Sequence, residues 1–232
     1  MRAISSMATR QLLVELLEAA VDAGFPATQV ESVGGVDAEQ LVASGERVDL
    51  VFLSEGALRR LADAGHVDAA TVTPLVLSQV AIAMASGSPG PAGRPDGTAF
   101  ADAAGVQAAL RTAGRIGYST GPSGTALVRM IEEWGLTEEL GERLVQARPG
   151  IPVAASLATG DVDLGFQQLS ELAGHPGVRI LGVLPGDCAI DTVFAGAVAI
   201  ASDDPAHAEE LLSFLASDAV VPLKTAHGFR AL

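Results

Sequence analysis

The sequence predicts an α/β fold of two lobes, each a mostly parallel sheet flanked by helices, with two extended segments crossing between the lobes. Three observations predict it. Short apolar runs alternate with amphipathic stretches, giving the β-α-β-α-β pattern of a parallel sheet covered on both faces. Two extended apolar runs, near 76–85 and 190–200, supply the two crossings. Turns rich in Ser and Gly stand where strands hand over to helices. The expected division is discontinuous, with residues 1–78 plus 196–232 in one lobe and 79–195 in the other.

Ala3–Ser5 reads as a short strand, and Thr9–Ala23 carries apolar residues at helical spacing (Leu12, Leu13, Leu16, Leu17, Ala20). Gly24-Phe25-Pro26 stops that helix. A strand over Thr28–Ser32 leads through Gly34-Gly35 into a helix over Asp37–Ser44. Val48–Leu53 reads as a buried strand with Ser54 at its carboxyl end, and Ala57–Ala64 as the helix after it. Leu75–Ala85 is a long strand, and Ser86–Gly97 (SGSPGPAGRPDG) is a Pro/Gly loop that regular structure does not accommodate.

A second α/β unit follows, with helix Asp102–Ala113, strand Arg115–Tyr118, a Gly-rich turn and helix Thr125–Trp134. The pattern continues with helices over Glu138–Gln146 and Val153–Thr159, then strands over Leu164–Gln167 and Val178–Val183. Thr192–Ile200 is the second long apolar run, Pro205–Ala216 is amphipathic, and Val220–Leu232 has no single pattern. Trp134, Phe52 and Phe166 are expected in the core.

Twenty-eight acidic residues against 14 basic ones leave a net charge of −14. Such a surface repels phosphate backbones and anionic lipid headgroups, which argues against a nucleic-acid partner or a membrane-surface role. Local N–H groups converging on one spot can still hold an anion. Cys188 is the lone cysteine, and His66, His175, His207 and His227 show no metal-ligand spacing, so neither a disulfide nor a metal site is expected. No dinucleotide fingerprint is present, and no cofactor is expected. The first residues, MRAISSMATRQLLVELLEAA, lack the continuous apolar stretch of a secretory signal, and no window is long enough to insert in a membrane. The sequence as it stands therefore predicts a cytoplasmic protein, or a periplasmic one if a leader was removed.

In this architecture a ligand belongs in the cleft, at the carboxyl ends of strands and the amino ends of helices. Three segments meet that condition: Ser5-Ser6-Met7-Ala8-Thr9, Gly34-Gly35, and Ser119-Thr120-Gly121-Pro122-Ser123-Gly124-Thr125. Small residues admit a ligand close to the backbone, and hydroxyls add donors without charge. The same residue types also serve as ordinary helix caps. Arg10 adds a cation one turn into the first helix, or is only a surface residue. Ser54 and Val153 occupy equivalent strand-end and helix-start positions. Gln167 and Gln168 could reach a ligand's carboxylates or satisfy strand-end backbone groups. Glu171 and Asp191 are possible general bases, although solvated surface is their default reading. No Gly-Lys-Ser/Thr follows the second-lobe turn, so it is not a phosphate-binding P-loop, and its spacing is not that of a serine-hydrolase nucleophile elbow.

The blocks ISSMATRQLL, ASGERVDLVFLSEGALRRLADAGHVD, IGYSTGPSGTALVRMIEEWGL, LATGDVDLGFQQLSEL and LLSFLASDAVVP together resemble the molybdate-binding branch of the class II periplasmic solute-binding proteins. The resemblance runs nearly end to end. It implies a two-lobed class II periplasmic-binding-protein-like fold that closes over one small anion. Met7 stands where that family places a first-loop serine, Gly34-Gly35 where it places another, and Gln168 where it places a tyrosine. Losing those donors argues against a bare oxyanion such as molybdate, because a buried dianion needs its lone pairs satisfied. GFQQLSEL is similar to the sub-branch that includes aconitate isomerases, which work without a cofactor by moving an allylic proton.

The resemblance thus implies a solute-binding-type domain that closes on a small anion, an organic carboxylate in preference to molybdate. Two alternatives are an isomerase of an unsaturated carboxylate and a cytoplasmic ligand sensor. An ABC permease is an expected partner only if a leader was removed. No catalytic residue transfers by motif.

Overall fold

A computed structural model describes residues 1–148 and 150–232. The elements in chain order begin β1 (Arg2–Ser6), α1 (Arg10–Asp22), β2 (Gln29–Val33), α2 (Gly35–Ala43), β3 (Leu50–Ser54), α3 (Glu55–Asp63) and β4 (Thr73–Ala85). There follow α4 (Ala103–Thr112), β5 (Ile116–Tyr118), α5 (Pro122–Glu133), α6 (Thr137–Leu140), β6 (Leu144–Gln146), α7 (Val153–Thr159), β7 (Leu164–Gln168), α8 (Leu169–Leu172) and β8 (Val178–Val183). The chain ends with β9 (Asp191–Val198), α9 (Pro205–Ala216), α10 (Val221–Ala226) and β10 (Arg230–Ala231). It divides into two compact units, Met1–Ser78 with Thr192–Leu232, and Gln79–Asp191. The chain passes from one unit to the other within β4 and returns within β9.

In the first unit β1 lies between β2 and β3, parallel to both, with Ser5 opposite Ser32 on one side and Phe52 on the other. β9 runs antiparallel beside β3, pairing Phe52 with Gly196, and β10 joins β4 through Arg230 and Leu77. Residues 3–6 of β1 are all buried, as expected of a parallel strand covered on both faces. Side chains alternate between two cores. Ala3, Leu50 and Phe52 pack with Leu12, Leu13, Leu16 and Leu17 of α1 and Leu211, Leu212 and Leu215 of α9. Ile4, Val51 and Leu53 pack on the other face with Val42 of α2 and Leu58 and Leu61 of α3. Each fully buried leucine contributes about 2 kcal/mol, so the leucine stripe of α1 holds that helix in place far more firmly than its intrinsic propensity does.

In the second unit β5 lies between β6 and β7, parallel to both. The second half of β4 runs antiparallel to β7 and to β8. Val80 and Ile82 enter a core with Leu127, Ile131 and Phe166, while Ala81 and Ala83 enter one with Val153, Leu157 and Leu172. Asp102 caps α4 by accepting from the Gly105 N–H at 2.9 Å. The Pro/Gly segment 86–97 forms no helix or strand, and Arg179 of β8 donates to its carbonyls at Ser86 (3.3 Å) and Ser88 (2.8 Å).

Two stretches differ from the sequence expectation. The helix expected over Glu138–Gln146 stops at Leu140, because Gly141 takes a positive φ of 40° that a continuing helix cannot use. Leu144–Gln146 then forms β6 against β5, with Leu144 opposite Ile116. The tail contains α10 and β10, and α10 packs against α1.

Candidate ligand-binding loops

Each parallel strand of the first unit runs almost directly into a helix. β1 ends at Ser6 and leads through the short 3-10 turn Met7–Thr9 into α1; β2 leads through Gly34 into α2, and Ser54 ends β3 just before α3. Gly34 (φ −55°, ψ 140°) and Ser54 (φ −59°, ψ 143°) adopt nearly the same extended conformation, as does Gln168 (φ −53°, ψ 136°) in the second unit. Extended caps of this kind leave the first helical N–H groups unsatisfied by the helix itself, and none of the three makes a side-chain cap hydrogen bond.

The hydroxyls differ in what they are free to do. Ser5 is fully buried and shares a 2.7 Å hydrogen bond with Ser32 across the β1–β2 pair. The Ser6 hydroxyl, in contrast, is buried with no hydrogen-bond partner among the described residues. Its Cβ lies 3.7 Å from the place where a Cβ on Gly35 would stand, so this hydroxyl and the start of α2 are neighbours. Thr9 donates to the Ser6 carbonyl at 3.3 Å. Arg10 is exposed at the first position of α1. A side chain at Gly34 would meet Asp37 Oδ2 at 2.7 Å, which places that carboxylate against the start of α2. Val36, beside it, is exposed.

In the second unit the turn after β5 carries Ser119 and Ser123, whose hydroxyls lie 2.8 Å apart and are both buried. One of the two donates to the other, which leaves one hydroxyl hydrogen for a further acceptor. Pro122 opens α5, where its missing N–H costs nothing, and the Thr125 hydroxyl folds back onto the Gly121 carbonyl at 3.4 Å. Gly124 is buried tightly against the Ser119 backbone.

Gln167 has a different task. Its side-chain Oε1 accepts from the Val153 N–H at 2.8 Å, so it closes the start of α7. A backbone N–H can only donate, which assigns the oxygen of the amide to that side and its NH2 group to the other. Burial pushes the carboxyl of Glu171, on α8, up to about 7, against a smaller lowering from the neighbouring Gln167 side chain. Gln168 is buried at the end of β7.

The structure thus gathers Ser6, Gly34, Gly35 and Ser54 at the carboxyl ends of the first unit's parallel strands. Ser119, Ser123 and Gly124 lie at one strand end of the second unit, and Gln167, Gln168, Val153 and Glu171 at another. Sequence reasoning missed Asp37 and Ser32. Asp37 stands three residues after the Gly34 cap, a spacing that marks an acidic side chain reaching back over a helix start. The Cys188 thiol is pushed up to about 11 by burial and by the carboxylates of Asp187 and Asp102, so it is a poor nucleophile at neutral pH. Among the described residues no three His, Cys, Asp or Glu side chains are placed to hold a metal ion. No described helix is long and apolar enough to cross a membrane.

Comparisons with known proteins point the same way as the topology. The periplasmic molybdate-binding protein of Azotobacter vinelandii superposes with a TM-score of 0.78 at 18% identity, over 99% of this chain and 98% of that one. The substrate-binding domain of a putative molybdenum ABC transporter from Clostridium difficile gives 0.72 at 16% identity, over 100% and 98%. PEB3 with bound L-phospholactate gives 0.73 at 14% identity, over 99% of each chain. At these identities the likeness establishes the periplasmic-binding-protein fold. An aconitate isomerase of a Pseudomonas species is 32% identical over 176 residues, 76% of this chain, and the chain spans 64% of the length of that relative. The family model of the bacterial extracellular solute-binding proteins matches residues 4–230, nearly the whole sequence, and the chain belongs to that family.

Proposed function

We propose that this solute-binding domain takes a small organic carboxylate through hydroxyl and N–H donors at its helix starts. The observation that carries the reading is the Ser6 hydroxyl, buried at the carboxyl end of β1 and without a hydrogen-bond partner among the described residues. An unmade hydrogen bond on a buried hydroxyl costs about 1–3 kcal/mol, which a bound acceptor would recover. Two features favour a carbon-based anion over a bare tetrahedral oxyanion. Val36, exposed at the start of α2, offers apolar surface that a carbon skeleton can use and a bare oxyanion cannot. PEB3, with the same fold, holds the organic anion L-phospholactate.

A thermal-shift series with molybdate, sulfate, citrate and both aconitate isomers tests this. A ligand at about 100 times its Kd stabilises the folded state by about 2.7 kcal/mol, a readily visible shift. Citrate or an aconitate should shift the midpoint; a response to molybdate alone would overturn the carboxylate reading. Ser6→Ala should weaken the responsive ligand roughly tenfold, the loss of about one hydrogen bond, and calorimetric titration measures it directly.

The aconitate isomerase relative favours a second reading, in which binding leads to allylic proton transfer within an unsaturated carboxylate. Glu171, on the helix that follows β7, suits it, since burial pushes its carboxyl up to about 7.

A further inference from the structure

We infer that Gly35 sets the shape of the anion this protein takes: its missing side chain keeps space open beside the Ser6 hydroxyl for a carboxylate carried on a branched carbon. The inference rests on the carboxylate reading of the site and adds to it the residue that selects among carboxylates.

The strands bring the two residues together. Ser6 and Val33 stand opposite one another at the carboxyl ends of β1 and β2, and Gly34-Gly35 follow directly. Alternation along β1 puts Ser6 on the same face as Ile4, the face that α2 and α3 cover. Ser6 is 6% exposed, and its hydroxyl has no hydrogen-bond partner among the described residues. On the opposite face Ser5 does have one, Ser32 at 2.7 Å. The first internal bond of α2 runs from the Ala38 N–H to the Gly34 carbonyl at 2.8 Å, so the N–H groups of Gly35, Val36 and Asp37 precede it.

Nothing in the fold demands glycine at this position. Gly35 opens a helix and its φ lies outside the left-handed region, so an L-residue fits the backbone. A Cβ there would touch, outside its own helix and among the described residues, only the Ser6 Cβ, at 3.7 Å, an ordinary contact. Gly34 differs, because a Cβ on it would meet Asp37 Oδ2 at 2.7 Å. Glycine is also a poor helix former beside alanine. The chain thus gives up helix stability at 35 for room, and the side chain bordering that room is the one whose hydroxyl is spare. A carboxylate oxygen placed there accepts from Ser6 and from the first N–H groups of α2. A substituent on the next carbon then fills the volume an alanine methyl would take, beside exposed Val36.

The test compares wild-type protein with Gly35→Ala, Ser6→Ala and the double variant, by thermal unfolding without ligand and by calorimetric titration. The probes are citrate and trans-aconitate, both branched, and unbranched succinate. Wild-type protein should prefer a branched anion to succinate. Gly35→Ala should raise the unfolding midpoint by about 1–3 °C, weaken the branched anion about tenfold or more, and shrink its preference over succinate. A purely structural residue would move stability and affinity in the same direction. Because alanine at 35 keeps the ligand from the Ser6 hydroxyl, the double variant should lose less than the product of the two single losses. A lowered midpoint in Gly35→Ala, branched-anion affinity kept within about threefold, an unchanged preference over succinate, or single losses that simply multiply would overturn the inference and leave the carboxylate reading standing. Wild-type protein that binds succinate as well as the branched anions would do the same. Binding of none of the three would overturn the carboxylate reading and this inference together.

Discussion

Glu171→Gln is expected to stabilise the protein by about 1–3 kcal/mol at pH 8 and by about a quarter of that at pH 5. The sign follows from burial. The folded carboxyl titrates at about 7 against an ordinary value of 4.5, so between those pH values the native state keeps a proton that the unfolded chain has released. Stability contributed by this group is complete below pH 4.5, falls as the pH rises toward 7, and is gone above it. Glutamine never ionises and escapes the loss. The ceiling is about 3 kcal/mol from the displacement of the titration, and the partial exposure of Glu171 reduces it. Urea unfolding of both proteins at the two pH values measures the difference; an equal difference at pH 5 and pH 8 would show that the carboxyl ionises normally. A variant that gains stability while losing turnover would mark Glu171 as a group retained for chemistry at the expense of the fold.

Gly124→Ala is expected to cost about 3 kcal/mol or more and to abolish whatever binding the Ser119–Ser123 turn supports. A Cβ on Gly124 would fall 1.8 Å from the Ser119 carbonyl oxygen and 2.8 Å from its carbon. Both are backbone atoms, so no side-chain rotation relieves the clash, and either the first turn of α5 or the turn after β5 must move. That movement separates the two hydroxyls now 2.8 Å apart. Gly196→Ala makes a useful comparison. Its Cβ would meet Leu212 Cδ1 and the Phe52 ring, buried side chains and not backbone, so a smaller but still clear loss is expected. Thermal unfolding ranks the two, and a Gly124→Ala protein as stable as wild type would overturn the packing argument.

The elements that could be read from sequence are those whose own residues decide them. α1 and α9 declare themselves through leucines at helical spacing, and β3 through an unbroken apolar run. β6 could not be read this way, because three residues at a sheet edge become a strand only through their partner: Leu144 pairs with Ile116, far back in the chain. α10 likewise depends on the surface of α1, against which His227, at its carboxyl end, meets Glu15 at 3.0 Å.

The site shows the same division. Helix starts bearing Ser and Gly are local patterns and were legible. Which hydroxyl is spent and which is spare was not, since Ser5 is tied by Ser32 from another strand while Ser6 next to it has no such neighbour. Gln167 could be read as reaching a ligand or as satisfying backbone groups, and only the fold shows that its oxygen accepts from the Val153 N–H, fourteen positions back.

The placement of β9 bears on how the chain is assembled at the ribosome. The second unit possesses all of its residues once Asp191 has been made, whereas the first unit must wait for Thr192–Leu232. Until then the far side of β3 has an open row of N–H and C=O groups, because residues 194–198 are its partner there. Leu211, Leu212 and Leu215 of α9, three of the nine buried leucines in the core under α1, are missing over the same interval. Translation therefore finishes the later unit first and leaves the earlier one as a nascent sheet with an unprotected edge, the stage at which a chaperone that shields exposed strands has most to offer.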